Sequence, residues 1–183
     1  MAAASWFHYA YLAHVSRPKG VRQLYRLVKR QKVCRIVDDG VSDVRRTVAL
    51  IEVAQRYAGQ QDVAYTGIDW FDARSHQLEP FSLKEAYRML RPTGAHVRLV
   101  PGEPGRSLAA AANAHQNTDL IVIAHAVADS ELACAWFYVP RMLHERSIIL
   151  REQQDAEGQI SFTPVTIAQV TKWAVRDAVG RAA

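Results

Sequence analysis

Along the central part of the chain, short continuous apolar runs alternate with stretches whose apolar residues recur at helical spacing. Residues 33–37, 63–68, 96–100, 119–124 and 147–150 read as five strands. The run 119–124 is apolar throughout, as expected of a strand covered on both faces. Between them, Val44, Val48, Ile51 and Ala54 mark a helix over 43–57, and three further helices are predicted over about 82–90, 106–115 and 130–144. Ser82 followed by Glu85 has the capping-box spacing, Pro92 and Gly94 stop that helix, and Ser130 is placed to cap the next. Residues 5–14 and 21–29 give two helices ahead of the first strand. After the fifth strand, 153–158 reads as a polar turn, 159–163 as a short antiparallel strand and 165–179 as a last amphipathic helix.

Strands and helices alternating at these lengths require right-handed crossovers and a parallel sheet. The expected fold class is therefore α/β: a doubly wound, Rossmann-like three-layer sandwich with a mostly parallel sheet of order 3-2-1-4-5 and a short C-terminal antiparallel strand. Residues 1–183 are expected to form one domain, with 1–31 as a helical extension.

Composition narrows the picture. With 183 residues, 49% hydrophobic and 22% charged, the chain can build one sizeable core. Its apolar runs fall well short of the roughly 20 residues of a membrane span, and the N-terminus lacks a basic leader region. A cytoplasmic location without a membrane partner is expected. Cys34 and Cys134 form neither a disulfide framework nor a metal pattern, and no histidine pair has zinc-ligand spacing, so no metal is expected. The net charge of +5 favours anionic partners mildly. Arg22, Arg26, Lys29 and Arg30 fall on one helix face, either as a solvated surface or as a nucleic-acid contact. Aromatic residues crowd 6–11 and 136–138, which predicts a homodimer.

Four stretches carry candidate chemistry. Val37-Asp38-Asp39-Gly40-Val41-Ser42-Asp43-Val44 joins the first strand to its helix, and a ligand can use the free N–H groups of such a turn. Tyr65-Thr66-Gly67-Ile68-Asp69 ends a strand on a carboxylate. Gly102-Glu103 follows the third strand, and His125 and Asp129 follow the fourth. Taken in this order, the stretches resemble the class I S-adenosylmethionine-dependent methyltransferase fold family, with a divergent glycine motif.

The resemblance implies that Asp38 holds the donor's amino group, that Gly40 and Ser42 border its methionine part, that Asp69 accepts the ribose hydroxyls and that Glu103 contacts the adenine. It places His125 and Asp129 beside the acceptor. Ser42 and Val44 stand where the family carries glycines, and Asp39 adds a second carboxylate, so weaker binding of S-adenosylmethionine is expected. The other readings are a silent scaffold acting through protein or nucleic-acid contacts, or another doubly wound binding protein. His125 also reads as a hydrogen-bonded residue at a strand end, and Asp129 as a helix cap.

Overall fold

The computed structural model describes residues 5–75 and 80–181; residues 1–4 of the expected extension and the last two of the chain lie outside them. Two helices, α1 (Trp6–His14) and α2 (Lys19–Gln31), precede β1 (Arg35–Asp39). The chain continues through α3 (Val44–Tyr57), β2 (Ala64–Asp69), α4 (Leu83–Leu90), β3 (His96–Pro101), α5 (Arg106–Ala111), β4 (Leu120–Ile123), α6 (Asp129–Trp136), β5 (Ile148–Gln154), β6 (Ile160–Val165) and α7 (Ile167–Arg181). The sheet order is β3-β2-β1-β4-β5-β6, parallel except for the β5–β6 pair. This is the expected doubly wound sandwich with its added antiparallel edge.

Alternation along β1 distributes its side chains between the layers. Ile36 joins the core under α1, α2 and α3, while Val37 joins the core under α5, α6 and α7. The same alternation sends Asp38 to the first layer and Asp39 to the second. Because β1, β2, β3 and β4 run in parallel, their carboxyl ends share one edge of the sheet, where the candidate stretches meet.

Most helix boundaries follow local capping. Asp43 Oδ1 accepts the N–H groups of Arg45 and Arg46 at the start of α3, and Ser82 Oγ accepts that of Glu85 at the start of α4. Three helix boundaries differ most from expectation. The helix expected over 130–144 begins after Ala128, whose N–H is taken by Glu131, so Ser130 lies inside it. It ends at Trp136, and a separate 3-10 turn covers Val139–Met142, because Pro140 has no N–H with which to continue the ladder. The helix expected over 106–115 likewise turns 3-10 at Ala112. β5 extends past the expected end at 150 because its polar residues 151–154 pair with β6, Glu152 opposite Phe162.

Candidate functional site

The turn after β1 is built around Gly40. Its φ of +84° is left-handed, and a Cβ there would lie 2.8 Å from both Ala124 Cβ and Val127 Cγ2. Glycine at this place lets the turn pack closely on the segment after β4. Its N–H donates to Ile68 O, which ties the turn to the end of β2.

Asp69 closes β2 next to that turn. Val41 N–H donates to Oδ2 at 2.8 Å and Phe71 N–H to Oδ1 at 2.9 Å, so two backbone donors fix the carboxylate. The guanidinium of Arg74 forks onto the remaining positions, with Nε to Oδ1 at 2.7 Å and Nη2 to Oδ2 at 2.8 Å. Arg74 Nη2 also donates to Val41 O, and the guanidinium lies 5.1 Å from the centre of the Phe81 ring. Phe71, held at φ +47°, buries its ring with Val41 and Ala86 beside the turn. All four lone-pair positions of the carboxylate are therefore engaged within the chain.

The two aspartates of β1 lie on opposite faces. Asp38 Oδ2 accepts the hydroxyls of Thr47 and Tyr65 at 3.2 and 3.1 Å, and its buried Oδ1 has no hydrogen-bond partner. Burial pushes its carboxyl up to about 6, the Glu152 charge adding to this against Arg46. Asp39 accepts the Gly105 N–H on both oxygens, at 3.1 and 3.0 Å, where the β3 loop enters α5. Burial pushes this carboxyl up to about 7 despite that hydrogen bond. Neither side chain reaches the open side of the turn.

Ser42 leads instead into a buried polar network. Its hydroxyl donates to Glu152 Oε2 at 2.9 Å and accepts from Arg46 Nη2 at 2.7 Å. Arg46 Nη1 stands 3.0 Å from the same Glu152 oxygen, an ion pair whose angle does not make a hydrogen bond. Burial works against the charge on Arg46, but Glu152 and Asp38 outweigh it and raise its pKa. Glu152 Oε1 is buried without a hydrogen bond, and His125 Nδ1 lies 3.4 Å from it. The network thus runs from the β1 turn to the half-exposed His125.

His125 and Glu152 line a cavity of about 810 Å³ among α6, β5, β6 and α7. Trp136 and Trp173, with ring centres 4.8 Å apart, form its apolar wall, and Asp129, Arg151 and Asp155 contribute charge. Asp129 is exposed and pairs with Arg151 at 3.3 Å. Glu103 pairs with Arg106 at 3.4 Å rather than with the Asp69 cluster. Ser42 and His125 are joined through Glu152, Gly40 and Asp69 through the β1 turn, and Asp38 lies beneath α3. Among the described residues, no three His, Cys, Asp or Glu side chains gather as metal ligands.

The sequence did not single out Arg46, Arg74 or Glu152. A signal existed for Arg46, which falls in phase with the buried Leu50 and Val53 on the apolar line of α3. On α2, Arg22 and Arg26 donate to the carbonyls of Ser16, Val15 and Ala13, and Lys29 lies over the rings of Tyr9 and Tyr57, so three of the four residues of the basic stripe are engaged within the chain. Trp136 is buried against Trp173, which accounts internally for part of the aromatic excess.

No protein-family model matches this chain, and no curated protein matches its sequence. Solved structures do resemble it. The O-methyltransferase TomG from Streptomyces achromogenes, in complex with SAM, shares 14% identity with a TM-score of 0.54, over 93% of this chain and 70% of that one. CalS11, a calicheamicin methyltransferase, shares 14% identity with a TM-score of 0.57, over 76% and 64%. Cofactor-bound Rv0187 from MTB shares 18% identity with a TM-score of 0.53, over 94% and 73%. The chain thus spans roughly two thirds to three quarters of the length of these proteins, and it has the class I S-adenosylmethionine-dependent methyltransferase-like fold.

Proposed function

We propose that the chain binds S-adenosylmethionine through its adenosine part at the carboxyl ends of β1 and β2, and methylates a small-molecule acceptor in the cavity beside His125. The observation that carries this reading is the fork on Asp69. Two backbone N–H groups hold the carboxylate and leave two acceptor positions to a two-pronged donor, here Arg74. The vicinal hydroxyls of a ribose are such a donor. The residues fit the nucleoside once Arg74 exchanges with it, and that exchange makes binding weak.

When bound, the donor would supply an electrophilic methyl group on its sulfonium. Of the other residues, Glu103 would face the adenine, while Asp38, Gly40 and Ser42 would shape the turn. His125 would take the acceptor's proton: Glu152 on its Nδ1 side favours the tautomer that leaves Nε2 as the base. Asp129, with Arg151, would border the cavity mouth.

Titration calorimetry with S-adenosylhomocysteine tests the reading. Wild-type protein should bind weakly, and Asp69→Ala should bind at least about tenfold more weakly, since charged acceptors of hydrogen bonds contribute roughly 1.5–3 kcal/mol each. Asp69→Asn, which keeps an acceptor for the backbone, should show the same direction in a protein that melts cooperatively. Equal binding by all three proteins, or none by wild type at millimolar ligand, would return the chain to the silent-scaffold reading.

A further inference from the structure

The charge of this chain is unevenly placed. Residues 1–37 contain eight lysines and arginines and no aspartate or glutamate, so the whole-chain +5 is a balance of +8 there against −3 in the remainder. Such asymmetry points to an anionic partner for the N-terminal helices.

The same region carries an uncovered apolar face. Tyr9, Leu12 and Ala13 of α1 are buried, yet the opposite side presents Trp6, Phe7, Tyr11 and Val15 at 59, 78, 55 and 59% exposure. Four of the eight large hydrophobic residues exposed among the described residues are thus gathered on this short segment. Phe7, Tyr11 and Val15 recur every four residues and form one ridge along the helix. A helix apolar on both sides is normally covered on both.

Cations stand at the end of that ridge. Arg22 donates through Nε to Ser16 O at 2.6 Å and through Nη2 to Val15 O at 3.0 Å, and Arg26 Nε donates to Ala13 O at 2.9 Å. Both guanidinium groups are held at the carboxyl end of α1, with Arg17 exposed on the connection to α2 and Lys19 exposed at its first position. An occupant must therefore be apolar against the ridge and anionic beside it. A second copy of this chain would bring the same cations, Arg17, Lys19, Arg22 and Arg26, to the contact. A nucleic acid would supply anions but leave the Phe7–Val15 ridge against a polar backbone.

We propose that α1 and the start of α2 dock on an anionic lipid surface, the aromatic ridge entering the headgroup boundary and the basic side chains meeting the phosphates. No helix among the described residues is long and apolar enough to cross a membrane. Lying in the interface demands only an apolar face and flanking cations. The sequence expectation of no membrane partner rests on spanning length, and docking on a surface departs from it.

Co-sedimentation of the full chain with vesicles tests the proposal, using phosphatidylcholine alone or mixed with phosphatidylglycerol. Binding to the mixed vesicles, weakened by salt and largely absent from phosphatidylcholine alone, is expected. Phe7→Ser with Tyr11→Ser should weaken it at least about tenfold, given about 0.8 kcal/mol per buried methylene-sized group. Arg17→Gln with Lys19→Gln should weaken it by roughly tenfold or more, at about 1 kcal/mol per basic residue near the surface. All four side chains are exposed, and an unchanged melting curve confirms that the variants fold. The proposal is overturned if the mixed vesicles capture no protein at low salt, or if the Phe7/Tyr11 variant binds as wild type does. It is equally overturned if, without vesicle binding, the chain binds single-stranded oligonucleotides or forms a dimer that Phe7→Ser dissociates.

Discussion

Asp39 shows how burial, rather than proximity to a ligand, can dominate a carboxylate next to a glycine turn. It is fully buried and meets one backbone N–H, and its carboxyl is pushed up to about 7 from an ordinary 3.8. A carboxyl whose pKa is raised on folding binds protons more tightly folded than unfolded, so its contribution to stability falls as pH rises from about 4 to about 7. Asp39→Asn keeps an acceptor for Gly105 and removes the ionisation. In urea unfolding, the variant should gain on wild type across that window and hold the gain above it. At about 1.4 kcal/mol per pKa unit the gain is bounded at about 4 kcal/mol. A difference between the two proteins that does not change with pH would show that the buried carboxyl is not the titrating group.

Among the secondary elements, α3 and β5 are joined by one buried cation. Arg46 lies between Asp38 and Glu152, and both carboxylates are almost wholly buried. Removing one member of such a cluster leaves the others uncompensated, whereas replacing the charges together by neutral groups of similar shape costs far less. Arg46→Met should therefore lose roughly 3 kcal/mol of stability at neutral pH, measured from denaturant midpoints. Adding Asp38→Asn and Glu152→Gln should recover most of that loss. Failure of the triple variant to recover would mean that the packing of the Arg46 side chain, including the stacking of its guanidinium over the Phe162 ring, dominates.

This network also marks where the sequence stopped being legible. The parallel strands were readable as short apolar runs, and Asp69 and His125 stand out as candidates because each lies where such a run ends. Glu152 looked like a residue past the end of the fifth strand, since its place in the sheet is fixed only by pairing with β6. Arg46 meets Glu152 across most of the chain's length, a pairing no local pattern announces. Arg74 lies in the connection after β2, where its fork on Asp69 depends on the tertiary course of the turn. The break in the helix after Trp136 had a local signal in Pro140, but the apolar spacing carries the expected helix through it to 144.

At the level of the whole molecule, the fold brings the ends of four parallel strands to one edge and then fills part of that edge with its own side chains. Phe71, Val41 and Arg74 occupy the neighbourhood of Asp69, while the cavity of about 810 Å³ lies beyond β4, at the end of the Ser42–Glu152–His125 line. On the proposed reading, donor binding competes with an internal ion pair, whereas the cavity proposed for the acceptor is open.

The most direct measurement of that competition is calorimetric titration of Arg74→Ala with S-adenosylhomocysteine beside wild type. With the guanidinium gone, Asp69 keeps its two backbone donors and presents two vacant acceptor positions. The variant should bind roughly tenfold more tightly than wild type, a difference of about 1.4 kcal/mol. Binding no tighter than wild type, in a variant that melts cooperatively, would contradict the assignment of Asp69 as the ribose acceptor.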